Sequence, residues 1–211
     1  MVGSPRVLQR IDAPPVILAS ASATRARLLA AAGVTLEQRP PAVDEDAVRE
    51  GLQAEGATPA DAVVALAELK AERVARQAPP AAIVLGADQI LSCGARWFAK
   101  PASLVEARAQ LAALAGRRHE LATAVVAFRN GARIWHSVTV PRLWLRPCSP
   151  EFLDDYLAAV GEQALAAVGA YQIEGPGAQL FARVEGDQFA IQGLPLLEVL
   201  EFLRAQGVLT R

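Results

Sequence analysis

The chain has 211 residues, 53% of them hydrophobic and 20% charged, which supplies one sizeable core near the upper end of single-domain length. Lys plus Arg is 21 and Asp plus Glu is 22, so the formal net charge of −1 excludes a polycationic nucleic-acid packaging protein. Charges or prolines interrupt every apolar run before the roughly 18 to 20 residues of a bilayer span, so no membrane partner is expected.

The opening MVGSPRVLQRIDAPP has arginines but no continuous apolar segment before a small-residue cleavage site, and residues 1–14 read as a flexible tail. Residues 15–211 then read as one α/β domain. Val16-Ile17-Leu18-Ala19 has the pattern of a buried strand, and Ser22 caps a helix reaching about Gly33. After Pro40-Pro41 comes an acidic stretch, Asp44-Glu45-Asp46, and Thr58-Pro59 opens a long helix that stops before Pro79-Pro80. Ile83-Val84-Leu85 is a second buried strand running into Gly86-Ala87-Asp88. Ser103 and Glu106 form a capping box for a helix ending at Gly116. Two stretches flanking Asn130-Gly131 predict a hairpin, with Pro141 marking an edge or bulge. Ser149-Pro150 caps a helix to about Gly161, Leu180 to Ile191 looks like a further hairpin, and Leu194 to Gln206 closes the chain as a helix. The sum is an α/β fold with a mixed sheet.

Two clues carry chemistry. The turn Ser20-Ala21-Ser22-Ala23-Thr24-Arg25 gathers hydroxyls, free backbone N–H groups and an arginine at the positive end of a helix, an arrangement suited to phosphate. An ordinary capped helix is the plainer reading when that turn is taken alone. Asp88 follows a buried strand, where open α/β sheets place ligand-binding groups. Asp44, Glu45 and Asp46 taken alone read as a solvated acidic loop. Lys70 and Lys100 are the only lysines. His119 and His136 form no H-E-x-x-H pair, and Cys93 and Cys148 stand outside any C-x-x-C pattern. Any metal is therefore expected to be a hard, carboxylate-bound ion, and the expected compartment is the cytoplasm. His119 reads as structural, Trp97 as a partly buried hairpin residue, and Trp135 and Trp144 as core or interface.

Seven blocks in order, from about residue 16 to 203, resemble the Maf family of septum-formation-inhibitor-like nucleoside triphosphate pyrophosphatases. Leu18-Ala19-Ser20-Ala21-Ser22-Ala23-Thr24-Arg25 through Leu29 is similar to L-A-S-x-S-P-x-R-x-x-L-L, with Ala23 in place of Pro. Val43-Asp44-Glu45, Leu66-Ala67-Glu68-Leu69-Lys70-Ala71, Gly86-Ala87-Asp88-Gln89 and Ala99-Lys100-Pro101 resemble the family's V-D-E, L-A-x-x-K-A, G-A/S-D-x and G-K-P. Gly169 to Gly175 and Glu185 to Leu196 resemble its A-G-x-Y-x-I-x-G and E-G-x-x-x-x-V-x-G-L-P-L.

The resemblance implies an elongated twisted mixed sheet, flanked by helices, with two lobes about a central cleft as in Maf and inosine triphosphatase folds. It implies hydrolysis of a nucleoside triphosphate to the monophosphate and pyrophosphate, dependent on Mg²⁺ or Mn²⁺, and it is compatible with a homodimer. By resemblance Asp88 is the proton acceptor, Lys70 and Lys100 assist, and Ser20, Ser22 and Arg25 bind phosphate. Glu45 and Asp88 are the expected metal ligands. Thr24, Gln89 and Glu174 occupy the specificity positions, where the dTTP and UTP branch usually has Arg, Thr and Gln. A carboxylate at 174 accepts only, which suits the two donors on the guanine edge, and a cationic 7-methylguanine still better. Gln89 and Glu174 agree with the 7-methyl-GTP branch, and Thr24 departs from the tryptophan frequent there. The alternatives are a dTTP/UTP pyrophosphatase of the same family, a nucleotide-binding regulator of septum formation with little turnover, and an interaction module whose acidic loop is only structural.

Overall fold

The structure, a computed structural model, describes residues 8–210. Residues 1–7 of the expected tail lie outside the described residues. The rest of that tail is tied down: Gln9 bridges to Leu209, and the Arg10 amide donates to the Val208 carbonyl at 2.9 Å. The Thr35 amide donates to Gln9 Oε1 at 2.8 Å, fixing the segment to the loop after the first helix.

A mixed sheet organises the chain, as expected. Strand β1 (Val16–Ala19) lies parallel to β2 (Glu37–Gln38) on one side and to β3 (Ile83–Cys93) on the other. Strand β3 turns into the short β4 (Arg96–Phe98) and pairs antiparallel with β5 (Arg118–Arg129). Strand β5 pairs with β6 (Ala132–Thr139) through the Asn130-Gly131 turn, and at its start with β7 (Arg142–Leu145), whose outer neighbour is β8 (Phe181–Glu185). Asn130 and Gly131 both have positive φ, 53° and 74°, the requirement of the two-residue hairpin turn. Pro141 sits between β6 and β7, where its missing N–H costs no ladder bond.

The helices follow their caps. Ser22 caps α1 (Ala23–Ala31), Thr58 caps α3 (Pro59–Ala75), Ser103 caps α4 (Leu104–Leu114) and Ser149 caps α5 (Pro150–Val160), each accepting from a first-turn amide. A short α6 (Gln188–Ile191) and α7 (Leu196–Ala205) finish the chain.

Three expectations are corrected. The acidic stretch is not a loop, because Asp44 caps α2 (Glu45–Ala54) and Glu45 and Asp46 lie in its first turn, where negative charge favours the helix. The second strand does not stop at Leu85; the ladder from Val84 opposite Phe128 to Ser92 opposite Glu120 carries it through Gly86-Ala87-Asp88-Gln89. Asp88 is therefore in mid-strand. Leu180 to Ile191 is no hairpin: β8 pairs with β7, and Asp187 then caps α6 through its bond from the Phe189 amide at 2.9 Å.

Alternation along β3 assigns each residue to a face. Leu85 and Ala87 join Leu18, Val125, Val199 and Leu203 in the core under α7. Val84 and Ile90 join Ile17, Val63, Leu66 and Ala67 in the core under α3. The far ends of β3 and β5 enter a third core, where Leu91 and Leu121 meet Leu111, Leu114, Leu153 and Tyr156 of α4 and α5. Each fully buried Leu, Ile or Val contributes roughly 1.5 to 3 kcal/mol. Asp88 lies where β3 passes from the first two cores toward the third. Among the described residues no helix is long and apolar enough to cross a membrane.

His119 belongs to that third region, as its structural reading implies. Its Nε2 meets the Tyr171 hydroxyl at 2.7 Å, the residue is 1% exposed, and burial pushes its pKa down to about 4. The folded state thus holds the neutral ring while the unfolded chain binds a proton near pH 6.5, so stability is complete above about pH 6.5 and falls toward pH 4. Denaturant titrations at about pH 7.5 and about pH 5 should show a loss of about 2 kcal/mol from this residue. His119→Gln should lose correspondingly less between the two pH values; an equal loss in both proteins contradicts the assignment.

Candidate active site

The site begins with a missing side chain. On the face of β3 turned toward α3, a Cβ at Gly86 would press on the Ala67 carbonyl oxygen and lie 2.6 Å from the Ala71 amide nitrogen. Glycine alone lets α3 approach this closely. The helix buries Val63, Leu66, Ala67, Lys70, Ala71 and Val74, so Lys70 falls in its apolar stripe and points at the sheet. Two residues beyond Gly86 on the same face is Asp88, and Lys70 Nζ donates to Asp88 Oδ1 at 2.6 Å. The same ammonium is 2.7 Å from Glu45 Oε2 at the start of α2. Lys70 is 3% exposed, Asp88 8%, so this is a buried lysine held by two carboxylates.

Arg25 lies beside them. Its Nε donates to the Gly193 carbonyl at 2.7 Å, and its Nη1 donates to the Ala87 carbonyl at 2.9 Å and to Ser20 Oγ at 3.0 Å. Burial lowers its pKa, opposed by the charges of Asp88 and Glu45. Arg25 is thus committed in large part to backbone, and among the described residues its Nη2 alone makes no hydrogen bond. Ser20 Oγ also accepts from the Ser22 amide at 3.2 Å, and Ser22 Oγ accepts from the Arg25 amide at 3.3 Å. Both hydroxyl oxygens thus accept hydrogen bonds from backbone amides inside the turn.

Lys100 sits at the exposed rim in the loop after β4. The loop is pinned on both sides of it: Gln110 Nε2 donates to the Ala99 carbonyl at 3.1 Å, and the Ala102 amide donates to Glu106 Oε2 at 2.9 Å. Partial loss of water lowers the Lys100 pKa first, and the Arg25 guanidinium adds to this. Lys70 pushes the same way, against Glu45 and Asp88, so all five charged groups share one field. Trp97, opposite Ser92 in the β3–β4 hairpin, packs on the α3-side core.

The three expected specificity positions differ in what they are free to do. Gln89, on the opposite face of β3 from Asp88, spends its amide nitrogen on Thr123 Oγ1 and the Ala190 carbonyl, each at 2.9 Å, and on the Ile191 carbonyl at 3.2 Å. Glu174 Oε1 accepts from Arg27 Nη2 at 3.2 Å, which ties the 170s segment to α1. Thr24 is half-buried in the first turn of that helix. Sequence reasoning missed Arg27, Thr123, Gln110 and Gln38. Gln38 Nε2 holds the Ser20 carbonyl at 2.9 Å and fixes the hydroxyl turn. Only Arg27 had a visible signal, one helical turn after Thr24 on the same face.

Glu45 and Asp88 converge on one cation-sized point, marked by the ammonium of Lys70, and both offer the hard oxygens that Mg²⁺ and Mn²⁺ select. Among the described residues no group of three or more His, Cys, Asp and Glu could hold an ion. The two carboxylates therefore suit an ion that takes its remaining ligands from phosphate and water. A groove of about 690 Å³ between β6 and α7, lined by Trp135, Ser137, Glu198 and Phe202, shares no residue with this cluster. Converging charge marks the site here.

A mixed α/β sheet that gathers three cations and two carboxylates in one field has the charge pattern of a protein that handles phosphate. The family model described as "Maf-like protein" matches residues 15–206, and the chain belongs to the Maf family. It is 50% identical over 195 residues to a protein of Granulibacter bethesdensis named nucleoside triphosphate pyrophosphatase, covering 92% of this chain and 98% of that one. A protein of Rhodospirillum rubrum with the same name is 51% identical over 196 residues, covering 93% and 96%. One of Rhizobium meliloti, named 7-methyl-GTP pyrophosphatase, is 48% identical over 196 residues, covering 93% and 98%. These relatives carry names of hydrolases that act on phosphorus-containing anhydrides, and this chain is an enzyme of that hydrolase class.

Gly86→Ala should separate α3 from β3. The backbone atoms it meets cannot swing aside, so a stability loss of about 1 to 3 kcal/mol or more in urea titration is expected, with lost turnover. An unchanged midpoint with unchanged turnover would show that the close approach does not set the Lys70–Asp88 contact.

Proposed function

We propose that the chain hydrolyses a nucleoside triphosphate to the monophosphate and pyrophosphate with Mg²⁺ or Mn²⁺, and that its preferred base is guanine, above all 7-methylguanine. The observation that carries the reaction is Lys70 held between Glu45 and Asp88, with Arg25 and Lys100 in the same field. A triphosphate carries about four negative charges, more than one cation can offset. Lys70, Lys100, Arg25 Nη2, the Ser20 and Ser22 hydroxyl protons and the first amides of α1 supply donors from three sides.

Glu45 and Asp88 would hold the divalent cation, which when bound neutralises phosphate charge and polarises the phosphoryl oxygens. Asp88 Oδ1 is engaged by Lys70, while Oδ2 makes no hydrogen bond among the described residues. We assign Oδ2 the proton of the water that attacks the α-phosphorus. The new P–O bond forms as the bond to the β-phosphoryl oxygen breaks, and pyrophosphate leaves. Retention of a base and a metal carboxylate together favours turnover over binding alone.

Glu174 supports the base reading, since its two oxygens accept from the guanine N1–H and N2–H₂, whereas glutamine would present one donor. The Arg27 contact on Oε1 steadies the carboxylate at the end of α1. Gln89 contributes through the α6 turn that its amide holds. The name of the Rhizobium meliloti relative supports the same substrate.

Pyrophosphate release should be measured across 7-methyl-GTP, GTP, UTP, dTTP and CTP. Glu174→Gln should shift preference from purine toward pyrimidine by about tenfold or more, the consequence of a mispaired donor worth roughly 1 to 3 kcal/mol. Unchanged preference removes the base assignment and leaves the reaction standing. Asp88→Asn should lower kcat by roughly 10² to 10⁴. Normal turnover in that variant would remove the mechanism.

A further inference from the structure

We infer that Lys70 is the resident counter-ion of the metal seat, so that a divalent cation enters only together with the triphosphate, whose oxygens draw the Lys70 ammonium off the two carboxylates. This rests on the proposed reaction and adds an order of binding to it. Lys70 Nζ bridges Glu45 Oε2 and Asp88 Oδ1 at 2.7 and 2.6 Å, and those oxygens belong to the two carboxylates that a dication would need. Two cations cannot share that bridge.

The charge count points the same way. Arg25, Lys70 and Lys100 against Glu45 and Asp88 leave the cluster at 3 − 2 = +1 without any ion added. A free dication would raise it to +3, with Lys70 displaced from its partners and no anion to receive it. A triphosphate of about −4 reverses the balance: the ammonium gains phosphate oxygens as it leaves the carboxylates, and the carboxylates gain the dication in exchange. The chain is built for that exchange. Lys70 is 3% exposed and enters from α3, whereas the Glu45 side chain is 43% exposed and comes from α2, none of whose residues is buried. One carboxylate is fixed in β3, and the other carries a side chain that is partly in solvent.

The alternative geometry leaves Lys70 in place and seats the ion on Glu45 Oε1 and Asp88 Oδ2. The two arrangements make opposite forecasts. Binding of Mn²⁺ to the full chain without nucleotide can be followed by electron paramagnetic resonance of the free ion. Wild type should show no site tighter than about 1 mM, and Lys70→Met should bind one Mn²⁺ about tenfold tighter or more, the effect of removing a like charge at contact distance.

Lys70→Met leaves two carboxylates without their cation, so circular dichroism must first show it folded, and a second measurement needs no variant at that position. The chain has two lysines, and ¹³C labelling at Cε gives two resonances, assigned with Lys100→Arg. Mg²⁺ alone should leave the Lys70 resonance in place, and Mg²⁺ with an α,β-methylene triphosphate should move it. The inference is overturned if wild type binds Mn²⁺ at micromolar concentration, if folded Lys70→Met binds no tighter than wild type, or if the Lys70 resonance moves with Mg²⁺ alone or with neither addition. Pyrophosphate release from the same preparation keeps the two readings apart. Its absence sinks the proposed reaction, while its presence alongside any of these outcomes sinks the order of binding alone.

Discussion

The contact between a buried lysine and a mid-strand aspartate governs this molecule. A lysine 3% exposed is tolerable only if its charge is met, and Asp88 and Glu45 meet it at 2.6 and 2.7 Å. That demand fixes much else. It requires α3 to lie close on β3, which requires Gly86. It requires the start of α2 to reach the same point, which Asp44 secures as the N-cap of that helix. The site and the packing of α2, α3 and β3 are therefore one arrangement.

The charged cluster is also sensitive to the loss of any one member. Replacing a buried pair by apolar residues is often neutral or stabilising, whereas removing one partner costs roughly 3 to 5 kcal/mol. Around Asp88 the apolar cores are dense: Val84, Ile90, Ala122 and Ala124 are each 1% exposed or less. The cores under α3 and α7 hold the strands rigid on either side of the charges. Such rigidity suits a reaction that depends on position and field more than on covalent help.

Much of this was legible in the chain. Caps at Ser22, Thr58, Ser103 and Ser149 placed four helices, and Asn130-Gly131 placed the β5–β6 hairpin, because these signals act over a few residues. The run Gly86-Ala87-Asp88-Gln89 hid the length of β3, since its strand state comes from pairing with β5 more than thirty residues away. The acidic stretch hid a helix start because carboxylates favour both solvated loops and helix N-termini. Lys70 was written in the spacing Leu66, Ala67, Lys70, Ala71, Val74, a charge in an apolar stripe. Spacing alone could not show what it meets, because Asp88 and Glu45 are separated from it by 18 and 25 residues; only the family resemblance put the three in one site. Gln38, Thr123 and Gln110 left no signal, since each acts on a backbone carbonyl or a hydroxyl brought near only by the fold.

Arg25 and Gln89 show why residue type alone understates a site. Arg25 ties the Ala87 carbonyl to the Gly193 carbonyl, and Gln89 ties itself to the carbonyls of Ala190 and Ile191. The turn over residues 187–195 is thus strapped to β3 immediately before and immediately after Asp88. Only a planar fork with several donors can hold two carbonyls and a hydroxyl at once, which a lysine cannot do from one nitrogen with the same geometry. Gly193 completes the strap: its φ of +102° favours glycine, and a Cβ there would lie 3.2 Å from Arg25 Nε. A change at Gln89 therefore disturbs the turn over residues 187–195 and the strand position next to Asp88 together. Under the proposed base assignment, preference and rate would be coupled at Gln89, whereas a change at Glu174, tied to α1 through Arg27, would alter preference with the packing of β3 left intact.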